Sequence, residues 1–352
     1  MRSTSNRILA GLILVAAFGL GLDRLSIGSA NWDSPAQQSR PQPQKPQQGQ
    51  KAPEDQDKDP SIKIGTDLVI LDVTVVDSAN NPAMDVTQDQ FQVSEDKVPQ
   101  KIEFFSREQV PVSLVLTIDT SGSMKPKLDT VIKASVNLVK ESRPDDELAV
   151  IEFKDQPELL EEFTKDINDV IDTLQGLVAS RQTAMLDALY LGADYATKEG
   201  KNRRKAVIIV TDGLDKNSYY KFNEVVKHLQ ETDVQIYLIG FTNDLSKDGA
   251  WVFGKSERDK AENLLNKLAS ETGGRAFFPK ELSEVHTIAQ QISTDLRTQY
   301  VIGYYPTNTK RDGTFRSVKV SVNAGNRRLL ARTRNGYTAP REGGSPTSGK
   351  PE

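Results

Sequence analysis

Between residues 110 and 297, short apolar runs alternate with stretches that carry apolar residues three and four positions apart, and nothing else in the chain restricts its fold as much. The runs are Val112 to Ile118, Leu148 to Phe153, Ala206 to Thr211 and Val234 to Gly240. They are short and almost continuously apolar, so they are expected to be strands buried on both faces. The stripes are Leu128, Val131, Ile132, Val136 and Val139; Phe222, Val225, Val226 and Leu229; Ala261, Leu264, Leu265 and Leu268; and Val285, Ile288, Ile292 and Leu296. Each makes one face of a helix apolar and reads as core, with no case for a cofactor-binding surface. The alternation implies an α/β fold with a doubly wound, mostly parallel sheet, whose ligands sit at the carboxyl ends of the strands.

A different pattern lies on either side. In residues 61–109, Val69, Leu71, Val73 and Val75 alternate with Ile70, Asp72, Thr74 and Val76, and Asn80-Asn81-Pro82 makes a turn. Two further strands are expected at Gln90 to Ser94 and Lys101 to Ser106. Residues 298–339 repeat the pattern in Tyr300 to Tyr305, Phe315 to Val322 and Arg328 to Arg334, with turns at Arg311-Asp312-Gly313 and Ala324-Gly325-Asn326. Neither group can cover its own apolar face. They are expected to pair into one small β-sandwich, with the α/β domain of residues 110–297 inserted between its halves.

The ends of the chain differ again. Arg2 and Arg7 precede an uncharged run from Ile8 to Leu22, which Asp23 and Arg24 close. As a helix this run is about 22 Å long, short of the ~30 Å hydrocarbon core. Residues 1–30 therefore read as an export signal, either cleaved after Gly28-Ser29-Ala30 or kept as an N-terminal membrane anchor. Residues 31–60 are rich in Gln, Pro, Lys, Asp and Ser and read as a disordered tether, and residues 340–352 as a disordered tail. The chain has 352 residues and no cysteine, which removes disulfides, thiolate catalysis and zinc-thiolate sites. Its net charge of −4 comes from 49 acidic and 45 basic residues without a long basic block, so nucleic acid is not an expected partner. The expected location is outside the cytoplasm: periplasm, cell envelope or medium.

The carboxyl-end rule directs attention to the residues just after the apolar runs. Asp119-Thr120-Ser121-Gly122-Ser123 comes after the first and Asp212-Gly213 after the third, while Thr183 stands where a loop enters a helical stretch. Two carboxylates and three hydroxyls can thus converge from three loops. An all-oxygen set of this kind suits a hard cation such as Mg²⁺, with Mn²⁺ or Ca²⁺ as alternatives. Taken singly the pieces say little, since Asp and Ser also cap helices and Asp-Gly also makes turns.

Here the sequence resembles the von Willebrand factor type A (VWA) family, a Rossmann-like fold whose metal-ion-dependent adhesion site has the pattern Asp-x-Ser-x-Ser, then Thr, then Asp. The pattern is matched by Asp119, Ser121 and Ser123, by Thr183 and by Asp212. The resemblance implies that Ser121, Ser123 and Thr183 contact the metal, while Asp119 and Asp212 act directly or through water. It also implies a non-enzymatic, metal-dependent protein-binding module for adhesion or assembly, in which an acidic residue of a protein partner completes the metal shell. One departure is Arg181-Gln182, where many relatives have glycine before the Thr. The flanking segments Asp96 to Phe105 and Gly303-Tyr304-Tyr305-Pro306 are similar to those of bacterial exported VWFA-related proteins.

The same residues admit two rival functions. A structural envelope protein whose metal only stiffens loops would carry every motif above. A hydrolase would need a nucleophile and a base; Asp119 at a strand end is similar to the nucleophile of haloacid-dehalogenase-like phosphatases, but Ser121 stands where their second Asp is required. His228 and His286 fall in helical stretches and read as surface residues. Gly273-Gly274 reads as a helix terminator, not a phosphate cradle.

Overall fold

The computed structural model describes residues 68–107, 109–180, 182–246 and 256–342. The export signal, the Pro/Gln-rich tether, Arg181 and the tail beyond Glu342 lie outside the described residues. Among the described residues no helix is long and apolar enough to cross a membrane.

In chain order the elements begin with strands β1 (Val69–Val76), β2 (Phe91–Glu95), β3 (Val98–Gln100) and β4 (Ile102–Ser106). Then come β5 (Val112–Asp119), α1 (Leu128–Lys140), β6 (Glu147–Phe153), β7 (Pro157–Thr164), α2 (Ile167–Gln175) and α3 (Met185–Glu199). They are followed by β8 (Arg204–Thr211), α4 (Phe222–Gln230), β9 (Val234–Gly240), α5 (Glu257–Glu271), β10 (Arg275–Phe277) and α6 (Glu284–Arg297). The last are β11 (Gln299–Tyr304), β12 (Phe315–Val322), β13 (Leu330–Arg332) and β14 (Gly336–Thr338).

The central strands form one sheet in the order β10-β9-β8-β5-β6-β7, parallel except for β7. Every residue of β5, β6 and β9 is buried, which is why these segments are apolar without alternation. Leu114, Leu116 and Ile118 pack under α1, α2 and α6, whereas Val115, Ile151 and Val207 pack under α3, α4 and α5. This is the doubly wound α/β fold that the alternation implies.

Three details differ from expectation. The helix after Ser123 does not begin until Leu128, because Met124 to Lys127 wind as tighter turns around Pro126, which has no amide to donate. β7 carries Glu158, Glu161 and Glu162 and is half-exposed; an antiparallel edge strand tolerates charges that a central one does not. The Gly273-Gly274 pair does end α5, and it also lets the chain pass close to β9: Gly273 has φ +78°, and a Cβ on Gly274 would lie 2.0 Å from the Ile236 carbonyl oxygen.

Two four-stranded antiparallel sheets, ordered β13-β1-β11-β4 and β14-β12-β2-β3, are each built from strands on both sides of the central domain. Their shared core holds Leu71, Val73, Val75, Phe91, Val93, Tyr300, Ile302, Val318 and Val320. Tyr300 has its ring 5.1 Å from that of Phe91. Its hydroxyl accepts from the Val86 amide at 3.0 Å and donates to the Ala83 carbonyl at 2.9 Å. Tyr300→Phe leaves both groups unmatched in an apolar interior. It is expected to cost about 1–3 kcal/mol, seen as a lower urea midpoint at unchanged m-value; an unshifted midpoint would mean that the hydroxyl does not hold the 83–86 loop.

The sandwich is bolted to the α/β domain by charged groups, all but Arg203 at low exposure. Asp72 accepts from Arg203 at 2.9 Å and from Arg204 at 3.2 Å, Arg204 also donates to the Leu296 carbonyl at 2.7 Å, and Arg332 pairs with Asp295 at 2.6 Å. Burial pushes the Asp72 carboxyl up, but the Arg204 and Arg203 guanidiniums outweigh it and hold it below its ordinary value. A second device gathers the two ends of the inserted domain: Asp146 accepts from the Val112 amide at 2.9 Å with one oxygen and from Arg297 at 3.0 Å with the other.

Candidate metal centre

β5 and β8 are neighbours, and the chain leaves them toward opposite faces: α1 joins the layer of α2 and α6, and α4 joins that of α3 and α5. The carboxyl ends of these two strands are therefore the topological switch point, at which α/β sheets bind ligands in a crevice. Asp119 is the last residue of β5, and Asp212 immediately follows β8.

Asp119 is fully buried. One carboxylate oxygen accepts from the Ser121 amide at 2.9 Å and the other from the Thr211 hydroxyl at 2.8 Å. Desolvation pushes its pKa up to about 6; hydrogen bonds from Ser121 and Thr211 oppose the rise, and repulsion from Asp212 adds to it. Asp212 is also buried and accepts from the Leu214 amide at 3.1 Å. Ser121 is buried and Ser123 exposed, with their hydroxyl oxygens 3.2 Å apart. Thr183 is buried, and its hydroxyl lies 3.5 Å from the Leu214 carbonyl oxygen, too far to be held firmly.

Backbone bonds join the three loops. The Ser180 amide donates to the Thr120 carbonyl at 2.7 Å, and the Lys216 and Asn217 amides donate to the Thr183 carbonyl at 3.1 Å each. Gly213, at φ +83°, turns the chain after Asp212 in a conformation that favours glycine. Asp119 at the end of β5 and the other four residues singled out from the sequence, on the loops, are therefore gathered by bonds that join those loops to one another.

Whether these residues fit a metal can be asked of the charges. Among the described residues the partners of Asp119 and Asp212 are amides and a hydroxyl, with no Lys, Arg or His side chain against either carboxylate. Two buried, mutually repelling carboxylates without a counter-charge are costly. A divalent cation removes that cost, and the donors beside them are the oxygens a hard cation takes. The residues present fit the group. No cluster of three or more His, Cys, Asp or Glu side chains gathers among the described residues, so the hydroxyls are needed to fill a shell.

Several supporting residues escaped the sequence reading. Thr211 orients Asp119, and Thr120 donates to Glu152 at 3.1 Å. Ala184 precedes α3 without a capping side chain; instead Asp215 accepts from the Met185 amide at 3.0 Å and Ser218 from the Leu186 amide at 3.0 Å. The run Asp215-Lys216-Asn217-Ser218 is rich in capping types, which was the available signal. Gln182 is exposed, with its amide on Asp155 at 3.1 Å; its neighbour Arg181 is outside the described residues. His228 is half-buried, stacked 3.9 Å from Tyr190, rather than a surface residue, and His286 is exposed beside Asn137.

The family model of the von Willebrand factor type A domain matches residues 113–291, half of the chain. No curated protein matches. Among solved structures, an aerotolerance-related membrane protein from Bacteroides fragilis is 18% identical over 53% of this chain and 98% of that one, with a TM-score of 0.42. BatB from Bacteroides thetaiotaomicron is 20% identical over 53% and 100%, at 0.40. A von Willebrand factor type A protein from Catenulispora acidiphila is 11% identical over 78% and 73%, at 0.45. With the strand order, the switch point and the family match together, the chain belongs to the von Willebrand factor type A family.

Proposed function

We propose that this protein is a non-enzymatic, divalent-metal-dependent binding module of the cell envelope, in which an acidic side chain of a protein partner completes the coordination of a cation held by Asp119, Ser121, Ser123, Thr183 and Asp212. Membership of the VWA family makes protein interaction the class of function. The observation that carries the metal reading is the pair of buried carboxylates without a cationic neighbour, beside two adjacent hydroxyls of which Ser123 is open to solvent. With only two carboxylates as ligands or water-orienting groups, the bound cation keeps an unsatisfied positive charge that attracts a further anionic oxygen. The basic and apolar N-terminal run supports an exported location, with a tether of residues 31–60 beyond it. The two histidines are engaged away from the crevice, on α4 and α6, which supports the absence of general-base chemistry.

Capture of partners from an envelope extract in Mg²⁺ against chelator tests this reading. Metal-dependent capture supports it. A chelator that lowers thermal stability while leaving capture unchanged would instead mean that the metal only stiffens loops.

The buried carboxyl also makes binding depend on pH. In the metal-free protein the Asp119 carboxyl is raised from 3.8 to about 6, so the folded state holds this proton more tightly than the unfolded chain does. The metal-free fold gains stability as pH falls through about 6 toward 3.8. Metal binding needs the carboxylate and competes with the same proton. Mg²⁺ affinity is therefore expected to be flat above about pH 6 and to fall toward tenfold per unit below it, at about one proton displaced per ion. Calorimetry in buffers of different ionisation enthalpy measures the proton count; a flat profile across this range would sink the assignment of Asp119.

A further inference from the structure

Two exposed apolar side chains stand on the loops that carry the candidate ligands. Tyr219 is 81% exposed and Val178 72%, the two most exposed large apolar side chains described. Isolated exposed apolar residues are common on protein surfaces, so exposure by itself decides nothing. Their mounting does. Val178 lies two residues before Ser180, whose amide bonds the Thr120 carbonyl, and Tyr219 two residues after Asn217, whose amide bonds the Thr183 carbonyl. Two residues span at most about 7 Å, so each stands beside a loop that bears candidate ligands. Their chain neighbours pack on opposite layers of the sheet: Ala179 with that of α1, α2 and α6, and Tyr220 with that of α3, α4 and α5.

Tyr219 is also fixed in place. Its amide and that of Tyr220 donate to the two carboxylate oxygens of Asp187 at 2.9 Å each. Its ring meets Tyr220 edge-on, with centroids 5.4 Å apart; Tyr220 stacks on Tyr190 at 4.0 Å, and Tyr190 on His228 at 3.9 Å. A backbone held this way, with an aromatic neighbour fixed by stacking, reduces what must be ordered on binding, which favours Tyr219 as an anchor. Lys125 and Lys216 are exposed on the loops that follow the two carboxylates, and neither pairs with an acidic side chain among the described residues.

We propose that the partner presents its carboxylate within an extended acidic segment that has apolar side chains on both sides, one seated against Tyr219 and the other against Val178. The proposal rests on the reading that a partner carboxylate completes the metal shell. The metal and the two free lysines select the acidic character of the segment, and the two apolar posts select the residues that flank it.

The test uses the full chain and three capped heptapeptides, Gly-Trp-Gly-Asp-Gly-Leu-Gly, Gly-Gly-Gly-Asp-Gly-Gly-Gly, and the first with Asn for Asp, the apolar residues standing two positions from the Asp so that all three side chains leave one face of an extended chain. In Mg²⁺ the first is expected to bind about tenfold more tightly than the second, the scale of an aromatic contact with its buried area. Tyr219→Ser and Val178→Ser should each remove a large part of that difference while leaving Mg²⁺ affinity and binding of the glycine-flanked peptide unchanged, and Tyr219→Phe should retain it. If both Asp peptides bind equally in a metal-dependent way, or the Ser variants change nothing, this inference is overturned while the metal reading stands. If the Asn peptide equals the Asp peptide, or chelator is without effect, the metal reading fails and takes the inference with it.

Discussion

Asp119→Ala is expected to lower Mg²⁺ affinity by about 10- to 100-fold, the range seen when a group that orients a metal's ligands is removed, and partner binding should fall in parallel. Asp119 receives the Ser121 amide and the Thr211 hydroxyl, so the substitution both removes a charge and frees the first of the paired serines. The fold should survive. Two donors lose their acceptor, at about 1–3 kcal/mol each, but a desolvated charge and its repulsion from Asp212 disappear with them. In chelator, wild type and variant should therefore unfold at similar temperatures, whereas the stabilisation by added Mg²⁺ should be largely lost in the variant. His228→Ala, on the far part of α4, should leave metal affinity unchanged. Titration calorimetry and thermal unfolding on these proteins decide the matter. Unaltered metal affinity in Asp119→Ala would leave only an ordinary protein-binding surface on a VWA scaffold.

Deleting residues 298–352 is expected to unfold β1 to β4 as well. β11 lies between β1 and β4, and β12 lies between β2 and β14, so the deletion removes an inner strand from each sheet. It also removes Tyr300, Ile302, Val318 and Val320 from the shared core. A group of strands without its second layer does not hold a sheet in water. Amide exchange reads the outcome by segment: protection should vanish from β1 and β2 while β5, β8 and β9 keep theirs, because the α/β core contains no residue beyond Leu296. Protected amides in β1 of the truncated chain would show that the two sheets are not one unit.

The parts of this fold that were legible in the sequence are those where burial dictates residue type along a whole element. β5, β8 and β9 must be apolar on both faces, and α1, α4, α5 and α6 must keep a stripe. β7 was not legible because an edge strand is free to carry Glu158, Glu161 and Glu162, and β3, β10 and β14 are three residues each, too short for any period to declare itself, whereas β13 falls within the strand expected at Arg328 to Arg334. The helix α2 carries two signals, an apolar stripe of Ile167, Val170, Ile171 and Leu174 and the Asp166 cap, which accepts from the Asn168 amide at 2.9 Å. At the site, Asp119, Ser121, Ser123 and Asp212 were legible because they stand at strand ends, and Thr183 because it stands where a loop enters a helix. Thr211, Asp215 and Ser218 were not, because each acts on a residue remote in sequence, and only the folded chain brings Thr211 to Asp119 or Asp215 to the start of α3.

The clasp at Asp146 changes the entropy of building the sandwich. β4 and β11 pair across an interruption of about 190 residues, and closing a flexible loop costs roughly (3/2)RT ln n. Once the inserted domain is folded, Asp146 holds its entry at Val112 and its exit at Arg297 on one side chain. The two halves of the sandwich are then joined by a bridge equivalent to about ten residues, lowering the closure cost by roughly 2–3 kcal/mol. A pairing that is among the most distant in the sequence becomes, in chain statistics, almost as local as a hairpin.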